Sequence, residues 1–224
     1  MRLQIKDLKV HVIATKPPPA SYYARVPGRG DKRYLGILRI ISEEGLEGHA
    51  FVCTATAWWD SPRHITPLTE DLKPFLVGED ALAREKIWHR MRQLAPRWDV
   101  GYPSIMAVDV ALWDLAAKAA NLPLYKLLGA YRDKIPVFAS APFYPDVDVE
   151  VESALACKER GMRGYKLHHV VPDLKESIDR CRRLREAVGE DMDLMFDGGG
   201  FYSFREALYV GRVLDELNFR WFED

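Results

Sequence analysis

Across residues 3–15 the apolar positions Ile5, Leu8, Val10, Val12 and Ile13 are interleaved with Lys6, Asp7, Lys9 and His11. That near-alternation predicts a half-buried strand. A Pro/Gly-rich loop follows over 16–32, then a second strand over 34–41. Glu43-Glu44-Gly45 reads as a tight turn into a third strand over 46–54. Two strands separated by so short a turn predict an antiparallel hairpin. The period then lengthens. Ser61-Pro62 reads as a helix start. Leu82, Ile87, Trp88 and Met91 recur at helical spacing over 81–93. The strongest helical segment, 104–120, is closed by Asn121-Leu122-Pro123, and Trp113 within it is expected in the core.

Beyond residue 134 the rhythm changes. Short apolar runs at 135–140, 163–170, 192–196 and 220–222 alternate with helical segments at 149–160, 173–188 and 203–217. Asp173 with Glu176, and Ser203 with Glu206, carry the spacing of helix N-terminal caps. Strands alternating with helices in units of about 30 residues predict a parallel sheet of βα units. The expected organisation is an N-terminal α+β domain over 1–134, then a partial (β/α) barrel of TIM type over 135–224. A complete barrel of that type takes about 250 residues, so these positions are expected to supply about four of its eight strands.

Composition narrows the classes of function. With 48% hydrophobic residues and a net charge of −1 over 224 residues, the chain can build a core. Its 32 Lys+Arg against 33 Asp+Glu leave no basic surplus for nucleic acid. No run of 18 uncharged apolar residues predicts a membrane span, and Lys6, Asp7, Lys9 and His11 interrupt the N-terminal apolar stretch where a signal peptide would be continuous. Cys53, Cys157 and Cys181, odd in number and widely spaced, fit reduced thiols in a cytoplasmic protein.

In parallel βα architectures ligands bind at the carboxyl ends of the strands. The second strand of this half ends in Lys166-Leu-His168-His169, the third in Asp197 followed by Gly198-Gly199-Gly200, and the fourth in Glu223-Asp224. The spacings, 31 residues from Lys166 to Asp197 and 26 from Asp197 to Glu223, are each one βα unit. The four side chains should share one rim. Lys166 and His168 share a strand face by the two-residue period, which turns His169 away. Two carboxylates from adjacent strands suit a hard cation such as Mg²⁺. A Lys or His beside it could take a proton next to a carboxylate, the logic of the enolase superfamily. The triple glycine is expected to be a tight turn. Asp109 and Asp114, five apart on a helix, miss the same-face spacing and are expected to bond locally or at the domain seam.

The segment Ala107-Val-Asp-Val-Ala-Leu-Trp-Asp-Leu-Ala-Ala-Lys118, followed by Leu122-Pro-Leu-Tyr-Lys-Leu-Leu-Gly129, resembles the family of mandelate racemase and muconate-lactonizing enzyme, a branch of the enolase superfamily. Gly164-Tyr-Lys-Leu-His168, Leu184-Arg-Glu-Ala-Val-Gly189, Leu194-Met-Phe-Asp197 and Trp221-Phe-Glu-Asp224 are similar as well. The resemblance implies that the N-terminal domain caps the barrel, and that Asp197 and Glu223 are the first and second metal carboxylates. It implies that Lys166 contacts the substrate carboxylate, as the first Lys of a Lys-x-Lys pair. His168 stands where that pair's second Lys, the proton-abstracting base, would stand. Gly199 replaces an Asn common in the family. Tyr22, Tyr23 and Arg25 in the first loop, with Trp58 after the third strand, fall in loops that select substrate in the resembled family.

The implied activity is Mg²⁺-dependent abstraction of a proton α to a carboxylate, through an enediolate. A sugar-acid (aldonate or aldarate) dehydratase is the first expectation, and a racemase or epimerase the alternative. A reading of another class also stands: a truncated or split, non-catalytic half-enzyme, since the family's third metal carboxylate and its opposite-face acid or base come from strands five to seven. The expected partners are a small-molecule carboxylate and, in a full-length form, further copies of the chain.

Overall fold

A computed structural model describes residues 2–15, 33–52, 65–98, 100–168 and 173–224. These form two compact units, the first ending at Asp133 and the second running over 134–224.

In the first unit, β1 (Ile5–Thr15), β2 (Arg33–Ser42) and β3 (Glu47–Val52) form an antiparallel sheet in that order. The hairpin turn closes at Gly45, whose φ of 83° is open to glycine without strain. Alternation places Leu38, Ile40, Ala50 and Val52 inside. Against them lies α3 (Tyr102–Ala119), which buries Ile105, Val108, Leu112 and Leu115 at intervals of three and four. The approach is so close that a Cβ on Gly48 would overlap the Ala111 carbonyl. Helix α3 ends as expected, with Asn121 at a positive φ of 51°.

Four features of this unit differ from the pattern-based expectation. A π-helical turn at Leu68–Leu72 and α1 (Lys73–Leu76) precede α2 (Arg84–Trp98). Helix α2 begins later than residue 81, because the Asp80 carboxylate accepts the amides of Leu3 and Leu82 and holds a turn there. A short α4 (Leu124–Leu127) follows the Pro123 stop. Trp113 is half-buried rather than core, with the Arg84 guanidinium 3.8 Å above its ring.

The second unit is a parallel sheet in the order β4 (Ala139–Ser140), β5 (Gly164–His168), β6 (Asp193–Asp197), β7 (Phe219–Glu223). Its crossovers are α5 (Val147–Glu159), α6 (Leu174–Val188) and α7 (Phe204–Glu216). This is the partial (β/α) barrel. Tyr165, Leu167, Leu194 and Phe196 pack with Ala154, Cys181, Leu184, Val188, Val210 and Leu214 of the helices. Alternation sends Lys166, His168, Met195 and Asp197 to the opposite face. Both predicted caps form: Asp173 accepts the amides of Lys175 and Glu176, and Ser203 with Glu206 makes a reciprocal capping box.

Strand β4 is shorter than the run over 135–140 predicts. Ile135 and Val137 stay 72% and 68% exposed, and only Ala139 and Ser140 pair with β5. Pro136 has no N–H to donate to a ladder, so an apolar run is not enough to extend the strand. No helix among the described residues is long and apolar enough to cross a membrane.

Candidate metal and proton-transfer site

The register of the parallel sheet assembles the site. His168 pairs with Asp197 and Asp197 with Glu223, so the last residues of β5, β6 and β7 stand side by side. Lys166, one pleat back on β5, reaches along the same face. Its Nζ donates to Glu223 Oε2 at 2.7 Å and to Asp197 Oδ2 at 3.1 Å. His168 Nε2 lies 3.0 Å from the same Asp197 oxygen. The side chains of Lys166 and Asp197 are 10% and 11% exposed, whereas that of Glu223 is 42% exposed. The cluster is closed beneath Asp197 and open beside Glu223.

Burial pulls the Lys166 ammonium toward neutrality. The bonds from Glu223 and Asp197 outweigh that and hold its pKa above the ordinary lysine value. Lys166 is therefore a cation held between two anions. Among the described residues the His168 ring is partnered on one side only, its Nδ1 being buried with no hydrogen-bond partner there. A neutral ring carrying its hydrogen at Nε2 leaves a lone pair unpaired, while a hydrogen at Nδ1 would strand a buried N–H and leave Nε2 facing a carboxylate lone pair. The hydrogen-bond network thus assigns the proton to Nε2.

The glycines after β6 do more than turn the chain. The Gly199 amide donates to Asp197 Oδ1 at 3.0 Å, and the Gly198 amide to the Glu223 carbonyl at 3.0 Å. The turn was legible in the sequence, but these two amides were missed. An Asp followed by flexible residues that let its carboxylate bond the backbone two positions on was the available signal. Asp197 therefore has one oxygen fixed by the backbone and the other facing Lys166 and His168.

Lys166, His168, Asp197 and Glu223 are thus brought together. Tyr22, Tyr23, Arg25 and Trp58 lie outside the described residues, as does His169. Asp114 belongs elsewhere, accepting the His49 amide at 2.8 Å and the Lys118 ammonium at 2.6 Å within the first unit. Asp109 is a half-buried carboxyl whose pKa is raised by burial and by Glu85, with Arg84 opposing.

No group of three or more His, Cys, Asp and Glu among the described residues is arranged to hold a metal ion. The pair Asp197 and Glu223 nonetheless fits a hard divalent cation. Both offer carboxylate oxygens from adjacent strand ends, and the point between them already carries a positive charge, the Lys166 ammonium.

An α+β unit followed along the chain by parallel βα units, with a Lys, a His and two carboxylates on the sheet's carboxyl edge, defines a protein of the enolase-superfamily type. Comparison with known proteins agrees. The profile of the mandelate racemase / muconate lactonizing enzyme N-terminal domain matches residues 10–129, and that of the enolase C-terminal domain-like group matches residues 149–224. The chain belongs to the mandelate racemase/muconate lactonizing enzyme family of the enolase superfamily. It is 35% identical to an arabinonate dehydratase of Saccharolobus solfataricus over 160 residues, 68% of this chain and 43% of that protein. It is 30% identical to an L-talarate/galactarate dehydratase of Salmonella typhimurium over 193 residues, 84% of this chain and 48% of that protein. A crystal structure of D-glucarate dehydratase from Agrobacterium tumefaciens, complexed with magnesium, superposes with a TM-score of 0.85 at 30% identity, covering 99% of this chain and 61% of that one. A cycloisomerase and a racemase are also among the relatives. The chain spans about half the length of the curated relatives it matches.

Proposed function

We propose that Lys166, His168, Asp197 and Glu223 form part of a site that removes a proton α to the carboxylate of a sugar acid, with loss of the β-hydroxyl as water. The observation that carries this reading is the convergence of Lys166 Nζ and His168 Nε2 on one oxygen of Asp197 at 3.1 and 3.0 Å, with Glu223 beside them. In this reading Asp197 and Glu223 would hold a Mg²⁺ ion, which when bound would stabilise the negative charge that develops on the substrate carboxylate. Lys166 contributes a charged ammonium that can leave its carboxylate partners for a substrate carboxylate. His168 meets the site through Nε2, so a proton taken from Cα or delivered to a departing hydroxide passes through that atom. With its hydrogen at Nε2 the ring donates toward Asp197; to act as the base it would present its lone pair at Nε2, and the imidazolium so formed is the acid that returns the proton to the departing hydroxide. The aromatic and basic loop residues Tyr22, Tyr23, Arg25 and Trp58 would select the acid.

A panel of aldonic and aldaric acids, assayed for keto-acid formation and for exchange of the α hydrogen with deuterated solvent, tests the proposal. Keto-acid formation that is lost in His168→Asn supports it. Exchange at Cα without a keto product would replace it with racemisation or epimerisation, a reading favoured by the racemase among the relatives. Neither product nor exchange with any acid would contradict both and favour a non-catalytic half-enzyme.

A further inference from the structure

We infer that Tyr202 is a positioning residue for the two candidate metal carboxylates, acting through the consecutive amides of Gly198 and Gly199. The purpose of this arrangement rests on the metal reading above; its geometry does not.

Three glycines in a row are by themselves a loose footing for a pair of fixed carboxylates. Gly199 and Gly200 adopt positive φ angles of 61° and 72°. Glycine has more backbone freedom to lose than any other residue. Something outside the triplet must hold it. Tyr202 is placed to do so. A Cβ on Gly198 would stand only 2.8 Å from Tyr202 Cε2 and 3.0 Å from Phe222 Cε2, so the Gly198 backbone lies directly on those two rings. The Tyr202 ring stacks on Phe196 and meets Phe222 edge-on, with centroids 6.2 and 6.0 Å apart. Both neighbours precede a carboxylate of the site, Phe196 before Asp197 and Phe222 before Glu223.

The hydroxyl end is tied down as well. Tyr202 Oη lies 2.9 Å from Ser177 Oγ, and Ser177 Oγ lies 3.0 Å from the Asp173 carbonyl. Ser177 has a single hydrogen, which the carbonyl takes, so Tyr202 is the donor to Ser177. Asp173 is itself the cap of α6. The ring is thus pegged to the first turn of that helix and pressed on Gly198. The Gly198 amide then fixes the Glu223 carbonyl, and the Gly199 amide fixes Asp197 Oδ1. Asp197 Oδ2 is left facing Lys166 and His168.

The experiment measures amide hydrogen exchange of ¹⁵N-glycine-labelled protein without metal, alongside Mg²⁺ titration calorimetry, for wild type, Tyr202→Leu and Tyr202→Phe. Removing the ring should raise exchange at Gly198 and Gly199 by about tenfold or more while Gly189, whose amide donates to the Arg185 carbonyl at 3.0 Å at the far end of α6, keeps its protection. Tyr202→Phe, which keeps the ring, should retain most of the protection and so act as the rescue. Mg²⁺ affinity should fall about tenfold in Tyr202→Leu, as for other residues that orient a metal ligand. Unchanged exchange at Gly198 and Gly199 in Tyr202→Leu overturns the inference, as does a loss of protection that extends equally to Gly189. If wild type shows no Mg²⁺ binding while Tyr202→Leu still frees the two amides, the metal reading falls and the positioning role stands.

Discussion

The two edges of the parallel sheet each bury a cation, and they hold it in opposite ways. At the amino edge the Arg185 guanidinium, among the described residues, donates to backbone carbonyls alone: Nε to Leu217 at 2.8 Å, Nη1 to Gly189 and Met192 at 2.7 and 2.9 Å, and Nη2 to Asn218 at 2.7 Å. These carbonyls come from the end of α6, the entry to β6 and the turn into β7. At the carboxyl edge Lys166 faces two carboxylates and no carbonyl is needed to hold it. The arginine's partners are fixed dipoles of the chain, and a planar donor fork matches them in one orientation. The lysine is a point charge on a flexible stem, and its partners carry two negative charges against its one. One edge is complete as it stands. The other retains a surplus of negative charge beside an exposed glutamate, and such a place can exchange one cation for another. That division agrees with the general rule that the amino face of βα barrels serves stability and the carboxyl face chemistry.

The comparison can be broken most forcefully at Arg185. Arg185→Met keeps the aliphatic stem but leaves four carbonyls without their donor. We expect a loss of about 4 kcal/mol in urea denaturation, with no dependence of that loss on added Mg²⁺. A loss below about 1 kcal/mol would mean that the amino edge does not depend on its cation.

A third buried cation, Arg180, sharpens the contrast. It binds the Tyr144 carbonyl at 2.9 Å and Glu150 Oε2 at 2.8 Å, both charged side chains being almost wholly buried. Burial raises the Glu150 carboxyl to about 7, against the opposing pull of Arg180. A carboxyl raised in the fold binds its proton more tightly there than in the unfolded chain. Its contribution to stability is full below about pH 4.5 and is lost as pH rises through about 7. The amount at stake is about 3 kcal/mol. Glu150→Gln should therefore flatten the pH dependence of stability between those limits, as read by denaturation at several pH values. An unchanged slope would remove Glu150 as its source.

A smaller effect is expected at Lys166. Lys166→Met leaves Asp197 and Glu223 facing one another with no cation between them, which should cost about 2 kcal/mol in the presence of a chelator. Added Mg²⁺ should recover most of it, because a cation of another kind can take over the charge. Melting with and without the metal checks this, and a loss that Mg²⁺ does not touch would make Lys166 a structural cation like Arg185. Smallest is Ser203→Ala, which removes the capping box of α7 without removing a partner of either cation and should cost about 1 kcal/mol at any Mg²⁺ concentration.

Much of the carboxyl edge was legible in the sequence because each strand there is an apolar run that ends on a charged residue, and a sheet of parallel neighbours brings such ends together. The caps at Asp173 and Ser203 were legible for a similarly local reason, being set by residues three apart. What escaped depends on distance through space. Glu150 reads as an ordinary acid in the first turn of a helix, and only the packing of α5 on α6 shows it buried against Arg180, 30 positions on. Arg185 sat inside a family-like motif, but nothing in that motif tells which carbonyls it reaches. The run over 135–140 looked like a full strand since hydrophobicity does not report that Pro136 cannot join a ladder. Trp113 looked like core because a large aromatic on an apolar helix usually is; here an arginine from α2 covers it.

The central claim is that the carboxyl edge is a cation-exchange point built on Asp197 and Glu223. Mg²⁺ titration calorimetry comparing the wild-type chain with Asp197→Asn tests it most directly. We predict saturable binding at one site per chain, weakened by at least about tenfold in Asp197→Asn. Binding of equal strength in both proteins, or no binding by the wild type, would contradict it.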